Sequence, residues 1–274
     1  MTETAVLEDS NHGEAVIDIE NRVGVVIGGG NGIGAACCRL MAQRGWQLAV
    51  VDLAEKAAKD VAAEIGGRAY TVDISDFTGV EQLAADIERA QGAVHGLVVC
   101  AAMFQDKFRP GEFPIELWRK VIDVNINGTF YANRTFGTLM ARRGRGAIVN
   151  IASTAAYGSQ ALHAYGPSKA AIFNMTKNLA TQWGRSGVRV NSVSPGATLV
   201  ERVKARPPGR YAVDIDNQMA LGRRIQPPEI AEGVEFLLSD RASAITGIDL
   251  LIDAGMIAAA GWGIYGGVPP AEDA

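Results

Sequence analysis

Cysteine is scarce in this chain: Cys37, Cys38 and Cys100 are the only three in 274 residues. They form no Cys-x-x-Cys pair and have no histidine pair nearby, so neither a disulfide framework nor a zinc or other metal site is expected. Such thiols read as small buried apolar side chains, in the reducing setting of the cytoplasm. Basic runs are missing too. The net charge is −4 and no block of five or six lysines or arginines occurs, which argues against nucleic acid as a partner. No basic segment leads into an apolar run at the start, so a secretory leader is not expected. Long hydrophobic runs are also absent. The most apolar late stretch, Ile245 to Val268, carries Asp249, Asp253 and six glycines, a composition that a membrane span would not tolerate.

What is present is an ordinary globular balance, 48% hydrophobic and 20% charged, enough for a substantial core. Residues 1–20 hold six acids and no lysine or arginine, and read as a solvated acidic tail. Beyond it, short apolar runs recur at 22–28, 47–52, 69–73, 96–100, 147–151, 188–194 and 248–253. Helix-like segments follow at 33–44, 54–65, 77–90, 114–142, 164–183 and 228–238. The runs are nearly continuous in apolar residues, as in strands buried on both faces. Strands alternating with helices predict a parallel sheet covered on both sides. The expectation is an α/β, Rossmann-like doubly wound fold with seven parallel strands, in one domain over residues 21–255. Ligands bind such folds at the carboxyl ends of the strands.

The first strand runs into "IGGGNGIG", Ile27 to Gly34, with five glycines in seven positions. Glycine is costly in regular structure. A strand-to-helix turn so rich in it suits a cofactor pyrophosphate resting against the helix N-terminus, where free N–H groups and partial positive charge collect. The second strand ends in Asp52, whose carboxylate would accept hydrogen bonds from adenosine ribose hydroxyls and repel a 2′-phosphate. The closest basic side chain is Lys56. NAD is therefore favoured over NADP.

The stretch 148–172 holds the chemistry. Tyr165 and Lys169 lie four apart at the start of a helix and share a face. Pro167 restricts that start to the first turn, which puts Tyr165 at the positive end of the helix. A phenol of pKa about 10 is a poor base at neutral pH. A neighbouring ammonium and the helix dipole both favour the phenolate, so Tyr165 could exchange a proton with an alcohol or ketone oxygen. Ser153, at the end of the preceding strand, could hydrogen-bond the same oxygen.

With these motifs the chain resembles the short-chain dehydrogenase/reductase family, from about Val23 to Asp253. The family pattern Thr-Gly-x-x-x-Gly-Ile-Gly matches Ile27 to Gly34, with Ile27 in place of threonine. The resemblance implies cofactor contacts from Gly28, Asn31, Gly32, Ile33, Gly34, Asp52 and Leu53. Asp73 and Ile74 match the pair that meets adenine in the family. Val99, Cys100, Ala101 and Ala102 stand where the family has Asn-Asn-Ala-Gly, a departure that removes both asparagines. Asn125 matches the asparagine that helps hold a water in the proton relay, beside Ser153, Tyr165 and Lys169. Pro195 and Gly196 match the pair bordering the nicotinamide. The usual threonine beyond them is Val200, while Thr198 comes two positions early, and either could serve there. The family also implies a homotetramer, with a homodimer as the alternative.

For substrate, Met103, Phe104, Tyr157 and His163 fall in loops expected near the pocket, with Ser153 and Tyr165. The segment from Leu199 to Ile225 should be a lid. Its Glu201, Arg202, Lys204, Arg206, Arg210 and Tyr211 could meet an anionic group or form a solvated charge run. The expected activity is NAD-dependent interconversion of an apolar, cyclic secondary alcohol with its ketone. An NAD(P)H-linked carbonyl reductase is the alternative, and a nucleotide-sensing protein without turnover a lesser one. The apolar, glycine-rich extension 256–274 is expected to be extended and docked at a subunit interface or pocket.

Overall fold

The computed structural model describes residues 22–200 and 215–269. The acidic tail and the charged part of the expected lid, Glu201 to Tyr211, lie outside the described residues. Seven strands are formed: β1 (Val23–Ile27), β2 (Gln47–Asp52), β3 (Arg68–Thr71), β4 (Val94–Val99), β5 (Gly146–Ile151), β6 (Val188–Pro195) and β7 (Asp249–Ile252). The helices are α1 (Gly32–Gln43), α2 (Glu55–Ile65), α3 (Phe77–Gln91), α4 (Ile115–Ile122), α5 (Thr129–Arg143), α6 (Tyr165–Trp183) and α7 (Pro227–Leu238). The sheet order is β3-β2-β1-β4-β5-β6-β7 and every pairing is parallel. This is the expected doubly wound α/β sheet. Among the described residues no helix is long and apolar enough to cross a membrane.

Successive strand residues face opposite sides, and both sides are apolar. Val26, Val50, Val98 and Val149 pack with α1, α2 and α7. Val25, Ile27, Leu97 and Ile148 pack with α3 and α5. The chain reverses its winding between β1 and β4, and a doubly wound sheet opens its crevice at such a point.

Three boundaries depart from expectation. The third strand ends at Thr71 rather than Asp73, because the Asp73 carboxylate accepts the N–H of Ser75 (2.9 Å) and starts a turn. The single helix expected over 114–142 is broken by a π-helical segment, Asp123–Gly128, between α4 and α5. Asn125 there is fully buried and bonds to both main-chain groups of Met103 and to Ser168. Gly128 closes the same segment onto Ile74, where a Cβ would come within 2.7 Å of Cγ2. The tail is not extended. It runs in turns to a 3₁₀ turn at Trp262–Tyr265, because Gly266 and Gly267 (φ +97° each) fold back and the Gly267 N–H bonds to the Trp262 carbonyl (2.9 Å). Trp262, Ile264 and Tyr265 are 50%, 83% and 82% exposed, so the tail is not docked through them on its own chain.

The β1–β4 register slips between Val23 and Gly24, which leaves His95 unpaired in the ladder. Its Nδ1 accepts the Val23 N–H (3.2 Å) in place of a carbonyl. Burial, then Arg145, Arg143 and Arg22, hold its pKa below the usual value. Stability from neutral His95 is thus complete above about pH 6.5 and is lost as pH falls towards the depressed folded-state pKa. His95→Gln keeps an acceptor and removes the titration. Urea unfolding between pH 7 and 5 should show a shallower loss of stability for that variant, and identical slopes would exclude His95 as the source.

Candidate active site

The carboxyl ends of β1, β2, β4, β5 and β6 border a cleft of about 1240 Å³. Its first wall is the glycine loop. The N–H groups of Gly28 and Gly29 both bond to the Val51 carbonyl, at 2.8 and 2.9 Å. Those of Cys100 and Ala101 both bond to the Ile27 carbonyl, also at 2.8 and 2.9 Å. This draws the ends of β2, β1 and β4 so close that side chains are excluded. Gly28 has φ +84°, and a Cβ there would lie 2.5 Å from the Ala101 nitrogen. A Cβ on Gly34 would lie 2.0 Å from the Gly28 carbonyl oxygen. These glycines are needed by the protein's own backbone before any ligand is considered. No side chain caps α1 and no acid sits in its first turn. Asn31, Gly32 and Ile33 line the cleft there, while Gly34 lies behind them.

Asp52 also lines the cleft. One carboxylate oxygen accepts the Gly30 N–H (2.9 Å) and the other that of Ala54 (3.0 Å). Each oxygen keeps a further lone pair for a ligand. Leu53 beside it is 68% exposed. Asp73 and Ile74 line the same end. The Ser75 hydroxyl and N–H on one Asp73 oxygen hold that carboxyl below its usual pKa. Cys100, Ala101 and Ala102 form the floor. Burial raises the Cys100 thiol to about 11, so it stays protonated.

At the other end Tyr165 is the first residue of α6. Lys169, one turn on, is 2% exposed; its Nζ donates to the Ile151 carbonyl (2.6 Å) and lies 5.6 Å from the Tyr165 ring centre. Burial lowers its pKa to about 8. Ser153 Oγ accepts the Ala155 N–H (3.1 Å), and its own O–H remains to be donated. Ser153, Tyr165 and Lys169 all line the cleft, as do Pro195, Gly196, Met103 and Phe104. Thr198 lines it as well, its hydroxyl donated to the Gly196 carbonyl (3.0 Å). Val200 borders it against Gly32.

Asn125 is one layer behind the cleft. Its Oδ1 accepts the Met103 N–H (2.7 Å), and its Nδ2 donates to the Met103 carbonyl (3.0 Å) and to Ser168 Oγ (2.9 Å). Two expected substrate residues do not line the cleft. Tyr157 stacks on Phe173 and donates to Asp249 at the β7 edge. His163 turns to the Phe108 carbonyl (3.1 Å) and the Phe113 ring. These partners, and not the cleft, take up both side chains. Leu162, which was not singled out from sequence, also lines the cleft, as do Ile215 of the expected lid and Met256, the first residue of the extension expected to dock at an interface or pocket. Met256 comes four residues after the end of β7, so the extension begins at the cleft wall. Gln105, buried against the start of α6, was also missed. A glutamine in a loop has no periodic signature. Among the described residues no cluster of metal-ligating side chains occurs.

A family model described as enoyl-(acyl carrier protein) reductase matches residues 28–257. The chain belongs to the short-chain dehydrogenase/reductase family. The NAD-dependent glycerol dehydrogenase of Listeria innocua is 35% identical over 242 residues, 87% of this chain and 94% of that protein. The cis-4-hydroxycyclohexanecarboxylate dehydrogenase of Sinomonas cyclohexanicum is 36% identical over 244 residues, 86% of this chain and 97% of the relative. A Mycobacterium ulcerans structure described as a short-chain type dehydrogenase/reductase superimposes with a TM-score of 0.83 at 29% identity, covering 88% of this chain and 91% of its own. A Brucella melitensis structure described as ribose-5-phosphate isomerase gives 0.88 at 40% identity, covering 92% and 98%. Members of this family use nicotinamide cofactors.

Gly34→Ala should cost about 1–3 kcal/mol of unfolding free energy, the usual range for forcing atoms into a packed site. A urea titration measures it. Unchanged stability would mean that the loop can back away from α1.

Proposed function

We propose that this chain oxidises an apolar, cyclic secondary alcohol to its ketone with NAD, using Tyr165 as the base. The observation that carries the reading is that Tyr165, Lys169 and Ser153 open onto the same cleft as the glycine loop and Asp52. A dinucleotide fits this cleft. Its volume, about 1240 Å³, exceeds the roughly 300–1,000 Å³ of a single small-ligand pocket and leaves room for a second molecule. The uncapped start of α1 suits the pyrophosphate, and Asp52 has lone pairs for the ribose. Lys56, the nearest basic residue in sequence, is paired with Asp60, which favours NAD over NADP. The named cofactor of the Listeria relative agrees.

When bound, NAD supplies the hydride acceptor. The chain supplies the proton chemistry. Ser153 donates its O–H to the substrate oxygen and fixes it near the Tyr165 hydroxyl. Tyr165, as phenolate, removes the alcohol proton. Lys169, charged below about pH 8 and held by the Ile151 carbonyl, stabilises the phenolate across the ring. Asn125 holds the Met103 main chain, which positions the neighbouring wall of the cleft. Phe104, Met103, Leu162, Ile215 and Met256 give the cleft apolar lining beside Tyr165, and the ring in the substrate named for the Sinomonas relative supports a cyclic alcohol. Carbonyl reduction is the same site run backwards. The isomerase description of the Brucella structure favours no second reading here, because aldose–ketose isomerisation needs no dinucleotide, and the cleft offers room for one beside Asp52.

Tyr165→Phe keeps size and packing and removes the proton acceptor. Turnover should fall about 10²–10⁴-fold with dinucleotide affinity nearly intact. Near-normal turnover would place the base elsewhere. NAD should exceed NADP in kcat/KM by about ten-fold or more, since a 2′-phosphate would sit against a carboxylate. Asp52→Ala should narrow that ratio. Equal use of both cofactors by the unmodified chain would overturn the assignment of Asp52.

A further inference from the structure

The first turn of a helix leaves N–H groups without partners, and they are usually met by a local Ser, Thr, Asp or Asn. At α6 the N-cap residue is Ala164, which offers no such side chain. Its N–H and that of Tyr165 bond instead to one atom, Gln105 Oε1, at 2.7 and 2.9 Å. Gln105 is 2% exposed and lies about sixty residues earlier, in the loop between β4 and α4. A buried amide is costly unless bonded. Here its oxygen is satisfied by the first residues of the helix that carries the base.

The neighbours of Gln105 are held to the same point. Asn125 grips both main-chain groups of Met103 and donates to Ser168 Oγ. Ser168 Oγ donates in turn to the Tyr165 carbonyl (2.7 Å). The Tyr165 main chain is therefore held on its N–H side by Gln105 and on its carbonyl side by Ser168 and Asn125. Between the two anchors, the Phe104 ring packs on the Tyr165 ring with centres 4.7 Å apart and borders the cleft.

We propose that Gln105 is a positioning residue that fastens the start of α6, and Tyr165 with it, to the loop carrying the Met103–Phe104 wall of the substrate site. The inference rests on the assignment of Tyr165 as base. A glutamine suits the task better than the usual acidic cap. It takes up two N–H groups without placing a negative charge at the positive end of α6, where that charge would oppose phenolate formation. The other charged or titratable groups around Tyr165 are Lys169 against its ring, Cys100 on the cleft floor, Asp106 and Lys107 next to Gln105, and His163 at the Phe108 carbonyl. All remain the same in the variants below.

The test compares the full-length chain with Gln105→Glu and Gln105→Leu, each also carrying Tyr165→Phe in a matched control. The ultraviolet difference between each protein and its control reads the ionisation of Tyr165 with no substrate or cofactor present. The midpoint should rise by about one pH unit in Gln105→Glu and move much less in Gln105→Leu. With NAD and cyclohexanol, both variants should lose about ten-fold or more of kcat at neutral pH through misplacement or charge. The pH profile of kcat should shift to higher pH in Gln105→Glu, which keeps the oxygen, and not in Gln105→Leu. NADH binding, followed by fluorescence, should stay within about two-fold. Equal midpoints in the native chain and folded Gln105→Glu would overturn the proposal. If Gln105→Glu fails to fold, native-like kcat in Gln105→Leu would overturn it. Absence of any cyclohexanol oxidation by the native chain would count against the alcohol assignment alone, because the ionisation measurement needs no turnover.

Discussion

Two carbonyl oxygens organise this molecule. Val51 O and Ile27 O each accept two consecutive N–H groups from a neighbouring strand end, which binds β2 to β1 and β1 to β4 at the point where the winding reverses. The chain can meet that condition only by turning sharply at Gly28 and by letting α1 start within contact of its carbonyl. Asp52, the start of α1 and the Cys100–Ala102 floor then share one rim. The shape of the cleft mouth is thus a by-product of how three parallel strands end.

Polar contacts do the equivalent work at the opposite end of the cleft. The widened π segment sets Asn125 inside the protein, where its amide meets main chain on one side and Ser168 on the other. A second buried set, Asn133, Asn150 and Thr176, ties α5, β5 and α6 together under the rim. Buried polar groups of this sort are stabilising only when every member finds a partner. Where the family resemblance implies two asparagines, this chain has Val99 and Cys100, and the floor there is held by main-chain bonds to Ile27.

The legible parts of the sequence were those governed by local rules. Strand positions followed from apolar runs, and the parallel, doubly covered sheet from their alternation with helices; the order of the strands came from the structure. Tyr165 and Lys169 were visible because four residues make one helical turn, and Asp52 because it closes a strand. The π segment was hidden, since its cause is the packing of Asn125 and Gly128 against residues far away in the chain. Gln105 was hidden for the same reason. Tyr157 and His163 were placed in the right loops, yet a loop's position does not fix which way a side chain turns. Asp249 and the Phe108 carbonyl decided that, and neither contact has a sequence spacing to betray it.

Because all seven strands point the same way, the two ends of the described chain are not equivalent. Arg22 enters the sheet at the edge remote from the cleft, beside Trp46 and His95. The last strand instead delivers the chain straight to the rim, where Asp253 holds the N–H groups of Gly255 and Ile257 and sets Met256 in the wall. The residues that follow β7 therefore start out as part of the cleft wall, whereas Arg22 and Val23 lie away from it. The shape of the cleft is accordingly open to revision from the carboxyl side, with no change to the sheet beneath it.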